Sequence, residues 1–363
     1  MRKLLLFIAF LLAACSEVGA ASPAGTLPPP NVLIVTNTPP PTFTPLPTFD
    51  ELIHPFTLDG LRNHPYEAGK IHYREILAQN DSYTIYYIDY PSDGLTITGV
   101  MYLPAGEGPF PVVIMNHGFF NRGDYYSGDG TDRASEFLVK RGYITIASDY
   151  RSWGQSDIGY SFFYSGLTID VINLLNAVPS IPKADPNRIG MWGHSMGGGV
   201  TMKVLTIDPR VKAAVLYSTV SADMADVIGR WGTGCFGDIA AGEKLYGCNS
   251  SDIIPDSLPP NLIQAYKTAS TSEATLAKIS PFHHLDLVAA PVQIHYGTAD
   301  GKLFSGTPPE WSKKLHQGLV SAGKDVQIFA YENEGHSFKA DQWFAFMERA
   351  SQFFDTYVKQ AGQ

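Results

Sequence analysis

The chain has 363 residues, 44% hydrophobic and 17% charged, enough for one large α/β domain or two small ones with a sizeable core. Its formal net charge is −9, and no run or stripe of Lys and Arg occurs anywhere, so nucleic-acid binding has no electrostatic support. The three cysteines, Cys15, Cys235 and Cys248, have no histidine cluster near them and do not make a zinc site.

Residues 1–15 read as a targeting segment. Arg2 and Lys3 form a positive start, residues 4–12 are apolar but too short to span a bilayer, and Leu12-Ala13-Ala14-Cys15 closes the run. This resembles the bacterial lipoprotein signal. The resemblance implies that Cys15 becomes a diacylglycerol-modified, N-acylated mature N-terminus that anchors the protein to the membrane, facing outside the cytoplasm. An ordinary secretory signal cut near Ala20 is the alternative, and it also exports the chain. In an exported protein a disulfide is the default for the remaining pair, Cys235 and Cys248. Closing that loop stabilises by roughly 3 kcal/mol in the chain-entropy model. Residues 16–49 are rich in Pro and Thr, including Pro28-Pro29-Pro30 and Pro39-Pro40-Pro41, and read as an extended polyproline-II spacer.

The folded domain is expected over residues 50–363. Two alternating β-rich runs, 83–90 and 95–103, flank the turn Pro91-Ser92-Asp93-Gly94 and predict a hairpin. Residues 112–115 are a short apolar run suited to a buried parallel strand. A helix over 133–140, a strand over 143–149 and a helix over 169–175 follow. Strands over 188–192 and 211–217 enclose another helix. A core strand over 292–296, a helix marked by Trp311, Leu315 and Leu319, and a strand over 326–331 come later. Trp343, Met347, Ala350, Phe354 and Tyr357 mark a final amphipathic helix. Such alternation predicts a mostly parallel central sheet with helices on both faces. About residues 220–286 interrupt the rhythm and read as a lid insertion over a pocket.

The chemistry centres on Gly193-His194-Ser195-Met196-Gly197. A G-x-S-x-G between an apolar strand and a helix predicts a nucleophile elbow, with Ser195 strained at the tip and the Met196 N–H free to hold an oxyanion. A serine hydroxyl needs a base, and the base needs an acid to orient it. In the chain order Ser, acid, His, the candidates are Asp300 in Gly297-Thr298-Ala299-Asp300-Gly301 and His336 in Glu334-Gly335-His336-Ser337. Asp223 is the fallback acid. Asn116-His117-Gly118-Phe119 follows an earlier core strand, and its Phe119 N–H is the expected second oxyanion donor. His283-His284 read as residues at the base of the lid. Gly128-Asp129-Gly130-Thr131-Asp132 lacks a calcium-loop pattern and reads as a turn with Asp132 capping a helix. Phe119, Phe120, Tyr125, Tyr126, Phe162, Phe163 and Tyr164 are expected near the pocket mouth as an apolar acyl site, a role that core packing competes for.

With Asn116-His117-Gly118, Asp149-Tyr150-Arg151-Ser152-Trp153-Gly154, Gly193-His194-Ser195-Met196-Gly197-Gly198, Gly297-Thr298-Ala299-Asp300 and Gly335-His336-Ser337-Phe338, the chain resembles the α/β-hydrolase superfamily. Its nearest likeness there is to prolyl-oligopeptidase-type catalytic domains and dienelactone-hydrolase-like enzymes. The resemblance spans roughly residues 80–358 and implies an α/β-hydrolase fold and a Ser195–Asp300–His336 triad that needs no metal or other cofactor. The family's acid loop runs D-x-x-V-P, whereas here residues 301–307 intervene before Pro308-Pro309. The stretches before His117 and within the lid are too short for a peptide-restricting propeller. The expected activity is therefore serine hydrolysis of a carboxyl ester, with short peptides or aminoacyl amides as the alternative substrate. A binding protein on the same fold and an acyltransferase are lesser alternatives.

Overall fold

The computed structural model describes residues 46–237 and 248–360. Cys15, the signal segment and most of the Pro/Thr-rich stretch lie outside the described residues. The first helix starts at Phe49, within the stretch read as linker. Its N-cap is Thr48, which exchanges hydrogen bonds with Glu51 in a capping box.

Eleven strands occur among the described residues: β1 His72–Gln79, β2 Tyr83–Ser92, β3 Leu95–Pro104, β4 Phe110–Asn116, β5 Ile144–Ser148, β6 Ala184–His194, β7 Val211–Tyr217, β8 Gly234–Phe236, β9 Asn249–Ile254, β10 Val292–Gly297 and β11 Val326–Tyr331. The α-helices are α1 Phe49–Ile53, α2 Leu58–Arg62, α3 Asp132–Val139, α4 Ser165–Ala177, α5 Met196–Leu205, α6 Met224–Trp231, α7 Pro260–Ser270, α8 Glu273–Ile279, α9 Pro309–Ser321 and α10 Ala340–Phe354. Nine strands form one sheet in the order β1-β2-β3-β5-β4-β6-β7-β10-β11. The first three are antiparallel, and from β5 to β11 the neighbours run parallel.

Strand periodicity decides which helix covers which face. Val112, Ile114, Met191, Ala214 and Leu216 point to one side, where they share a core with Leu167, Val171 and Leu174 of α4 and Leu315 and Leu319 of α9. Val113, Met115, Trp192, Ala213 and Val215 point to the other, against Ala134 and Leu138 of α3 and Phe346, Met347 and Phe354 of α10. Both faces are apolar, so the parallel strands read as continuous hydrophobic runs rather than alternating ones.

Two differences from the sequence reading concern local structure. β1 was not expected, because its residues are exposed along their whole length and carry no core-facing pattern; backbone pairing to β2 makes it a strand. Asp132 is not the cap of α3. Thr131 occupies that position without a side-chain cap bond, and Asp132 is the first helical residue, its Oδ1 accepting from the Arg133 N–H at 2.7 Å.

The inserted segment is built into the main core. Ile253, Tyr266, Ala269 and Ile279 are fully buried there, and Ser161 bridges to Ile253. Tyr266 packs on Phe162 and Phe163 at ring distances of 4.8 and 4.9 Å. This corrects the expectation for Phe162, Phe163 and Tyr164: all three are buried core residues under the insertion. Cys235 and Cys248 are joined by a disulfide with a Cα–Cα distance of 5.1 Å.

Candidate active site

Ser195 sits between the end of β6 and the first residue of α5. Its φ of 54° and ψ of −120° are a conformation that L-residues rarely adopt, held by the structure around it. The Ser195 N–H donates to the Tyr217 carbonyl at 3.0 Å, and the Ser195 carbonyl accepts from Gly198 and Val220 at 3.0 and 3.1 Å. Glycine is required beside it for space. A Cβ on Gly193 would lie 2.5 Å from the Gly197 oxygen, and one on Gly197 would lie 2.0 Å from the Asn116 oxygen. The turn is thus wedged between the end of β4 and its own helix, where no side chain fits. Met196, at the start of α5, has an N–H with no intrahelical acceptor.

The loop after β4 packs directly on the serine. A Cβ at Gly118 would be 3.1 Å from the Ser195 Cβ. Asn116 ties this loop to α5 by donating to the Thr201 hydroxyl at 2.8 Å. His117 is fully buried, its ring 4.7 Å from that of Tyr125 and 4.4 Å from that of Tyr150. Burial pushes it down to about 4, against the raising effect of the Gly118 and Asp149 carbonyls, so it is a neutral structural wedge. Phe119 comes next, its ring half-exposed and edge-on to Trp153 at 6.3 Å.

Asp300 and His336 lie on the loops after β10 and β11. The His336 Nδ1–H donates to Asp300 Oδ2 at 3.0 Å, with the carboxylate buried and the imidazole partly exposed. Burial pushes the Asp300 carboxyl up, but the hydrogen bond and charge of His336, with bonds from Thr307 and Gly301, outweigh it and hold the group below the usual carboxylate range. His194, the residue before the serine, links His336 to the elbow. Its Nε2 reaches the His336 carbonyl at 3.1 Å and the two rings lie 4.8 Å apart. Burial, then the neighbouring His336, lowers His194 to about 3, so it stays neutral. The structure thus pairs Asp300 with His336, packs Gly118 against Ser195, and joins His336 to the residue before the serine through His194.

Asp223 lies elsewhere. Its Oδ1 accepts from the Ala225 N–H as the N-cap of α6, and its Oδ2 is 2.9 Å from Lys314 Nζ. His283 is 3.8 Å from the same carboxylate, and His284 Nε2 is 3.2 Å from the Ala277 carbonyl. Among the described residues no group of three or more His, Cys, Asp or Glu is placed to hold a metal ion.

Sequence reasoning missed Thr307. It is buried in the lengthened acid loop, its N–H donating to Asp300 Oδ1 at 3.0 Å and its hydroxyl 2.7 Å from Asp300 Oδ2. The departure from D-x-x-V-P was the available signal. The loop is also fastened from the insertion. Arg230 of α6 donates to the Gly301 and Leu303 carbonyls at 3.1 and 2.9 Å, and Trp231 Nε1–H donates to the Phe304 carbonyl at 2.8 Å.

Two family models match the chain: X-Pro dipeptidyl-peptidase (S15 family) over residues 93–252 and the dienelactone hydrolase family over residues 274–361. The chain has an α/β-hydrolase fold. Esterase FrsA of Shigella boydii is 30% identical over 129 residues, which are 35% of this chain and 30% of that protein. The match thus spans about a third of each. Among solved structures, acetyl xylan esterase 1 from Thermoanaerobacterium superposes with a TM-score of 0.57 and 20% identity, covering 84% of this chain and 92% of that one. Pyrococcus horikoshii acylaminoacyl peptidase gives a TM-score of 0.57 and 20% identity, covering 77% of this chain and 43% of that one. At such identities the likeness to solved structures is one of fold.

Proposed function

We propose that the protein is a serine hydrolase that cleaves carboxyl esters through a Ser195–His336–Asp300 triad. The observations that support this are the strained Ser195 at the head of α5 and an Asp300–His336 hydrogen bond of 3.0 Å on the loops after β10 and β11, tied to the residue before the serine through His194. Ser195 Oγ attacks the ester carbonyl carbon while His336 Nε2 takes its proton. The Met196 and Phe119 N–H groups receive the charge that develops on the carbonyl oxygen. Collapse expels the alcohol, protonated by His336, and leaves an acyl-serine. Water, deprotonated by the same imidazole, then attacks the acyl carbon and releases the acid and the free serine. Asp300 holds the Nδ1–H tautomer and stabilises the imidazolium in both steps.

The Asp223 and Asp226 carboxylates are both taken up by Lys314 at 2.9 and 2.8 Å, so this pair does not serve to hold a peptide ammonium. Hydrolysis of short peptides or aminoacyl amides is the second reading, favoured by the S15 match over residues 93–252. Purified protein with and without Ser195→Ala, assayed on p-nitrophenyl esters and aminoacyl-p-nitroanilides, separates the two. Ester turnover that the substitution abolishes is the expected result. Comparable anilide turnover moves the peptide reading forward, and silence on both with no fluorophosphonate labelling of Ser195 overturns the triad.

We also propose that the enzyme is exported and lipid-anchored through Cys15. The Cys235–Cys248 bond supports an oxidising compartment. Labelling cells with a palmitate analogue tests this: wild type should carry the label in the membrane fraction and Cys15→Ser should not.

A further inference from the structure

The Thr307 hydroxyl has one proton and two acceptors. Its Oγ1 lies 2.7 Å from Asp300 Oδ2 and 2.9 Å from the Ser218 carbonyl oxygen, and neither of these oxygens can donate. It is also 3.4 Å from His336 Nδ1, so it stands beside the Asp300–His336 bond itself. Asp300 Oδ1 is already held by the Gly301 and Thr307 N–H groups at 2.7 and 3.0 Å. Oδ2 is therefore the oxygen whose charge the Thr307 hydroxyl and His336 divide between them.

We propose that Thr307 is a positioning residue that sets how strongly Asp300 charges His336. The inference rests on the triad reading above. While the imidazole is neutral, the ionised Oδ2 is the stronger acceptor and accepts the hydrogen bond from the Thr307 hydroxyl. As His336 becomes an imidazolium during attack, its Nδ1–H bond tightens and the hydroxyl is free to turn to the Ser218 carbonyl. The carboxylate's charge then falls more fully on the imidazolium. No bond between heavy atoms changes; one hydroxyl rotates.

Other groups around the pair do not supply this proton. His194 of β6 meets the His336 carbonyl, not its Nδ1. The Tyr217 hydroxyl of β7 accepts from the Phe338 N–H. Glu334, after β11, accepts from the Lys339 N–H, and Arg230 of α6 holds loop carbonyls. Residues 301–307, seven where the family pattern has three between the acid and the proline, carry a threonine back onto Asp300.

The test is the pH dependence of kcat/KM on a p-nitrophenyl ester for wild type, Thr307→Val and Thr307→Ser. Without the hydroxyl, the undivided carboxylate charge should move the acid limb up by about half to one pH unit. The plateau should rise by up to about tenfold, because the hydrogen bond removed from the charged group is made before attack and given up during it. Thr307→Ser should restore both. If Thr307→Val does not fold by thermal melt, Thr307→Ala carries the same comparison. An unmoved acid limb in a folded hydroxyl-less variant, or failure of Thr307→Ser to restore it, overturns the inference. Ser195→Ala is run alongside. If it retains turnover the triad reading itself fails, whereas an unmoved limb in a Ser195-dependent enzyme sinks only the role of Thr307.

Discussion

Lys203 is a buried amine on α5, and replacing it by Met should reverse its effect on stability between pH 7 and pH 10. The side chain is 1% exposed and its Nζ donates to the Phe163 carbonyl at 2.5 Å. Burial pushes the amine down to about 7 from an ordinary 10.5, against the pull of Asp252, itself raised by burial to about 6. Between 10.5 and 7 the unfolded chain binds a proton that the folded chain does not, so folding is penalised as pH falls through this window and stability rises with pH across it. The difference between pH 7 and pH 10 is about 3–4 kcal/mol. Met has nearly the same length and no proton to lose. It forfeits the bond to Phe163, which costs about 1–3 kcal/mol at either pH. Lys203→Met should therefore be the more stable protein at pH 7 and no more stable than wild type at pH 10. Urea denaturation at both values measures this. A wild-type-to-variant difference constant to within about 1 kcal/mol would show that Lys203 keeps its proton in the fold and would refute the reasoning.

Three further outcomes follow from packing and pairing. Gly197→Ala should abolish fluorophosphonate labelling, because its Cβ would lie 2.0 Å from a backbone oxygen of the neighbouring loop and the elbow cannot close. Arg151→Met should lower unfolding free energy by about 3–5 kcal/mol, since Asp170, fully buried and 2.8 Å from the guanidinium, loses its counter-ion; chemical denaturation reads the loss. Replacing both Cys235 and Cys248 by Ser should cost about 3 kcal/mol for a sequence separation of 13, with faster proteolysis within the insertion as the direct readout.

The strand–helix alternation and its two-faced core were legible because residues such as Ile114 and Val113, or Leu216 and Val215, alternate between two apolar layers. The elbow was legible for a steric reason. Gly193 and Gly197 fill spaces where backbone oxygens leave no room for a Cβ, and that constraint leaves a local pattern around Ser195. Chain order and position at strand ends were enough to single out Asp300 and His336, but not to bring them within 3.0 Å of each other. Tertiary structure alone decided the rest. Asp223 and Asp300 are both loop carboxylates in sequence; only the fold pairs one with Lys314 and the other with His336. Phe162 and Phe163 became core residues because a segment from beyond β9 lays Tyr266 on them. Thr307 returns to Asp300 only through the path of a seven-residue loop held by Arg230, a contact made by residues far apart in the chain. Periodicity and close-packed glycines are local properties and are written in sequence. Which charges meet is a property of distant strand ends brought to one edge of a sheet, and it is settled only when the sheet has formed.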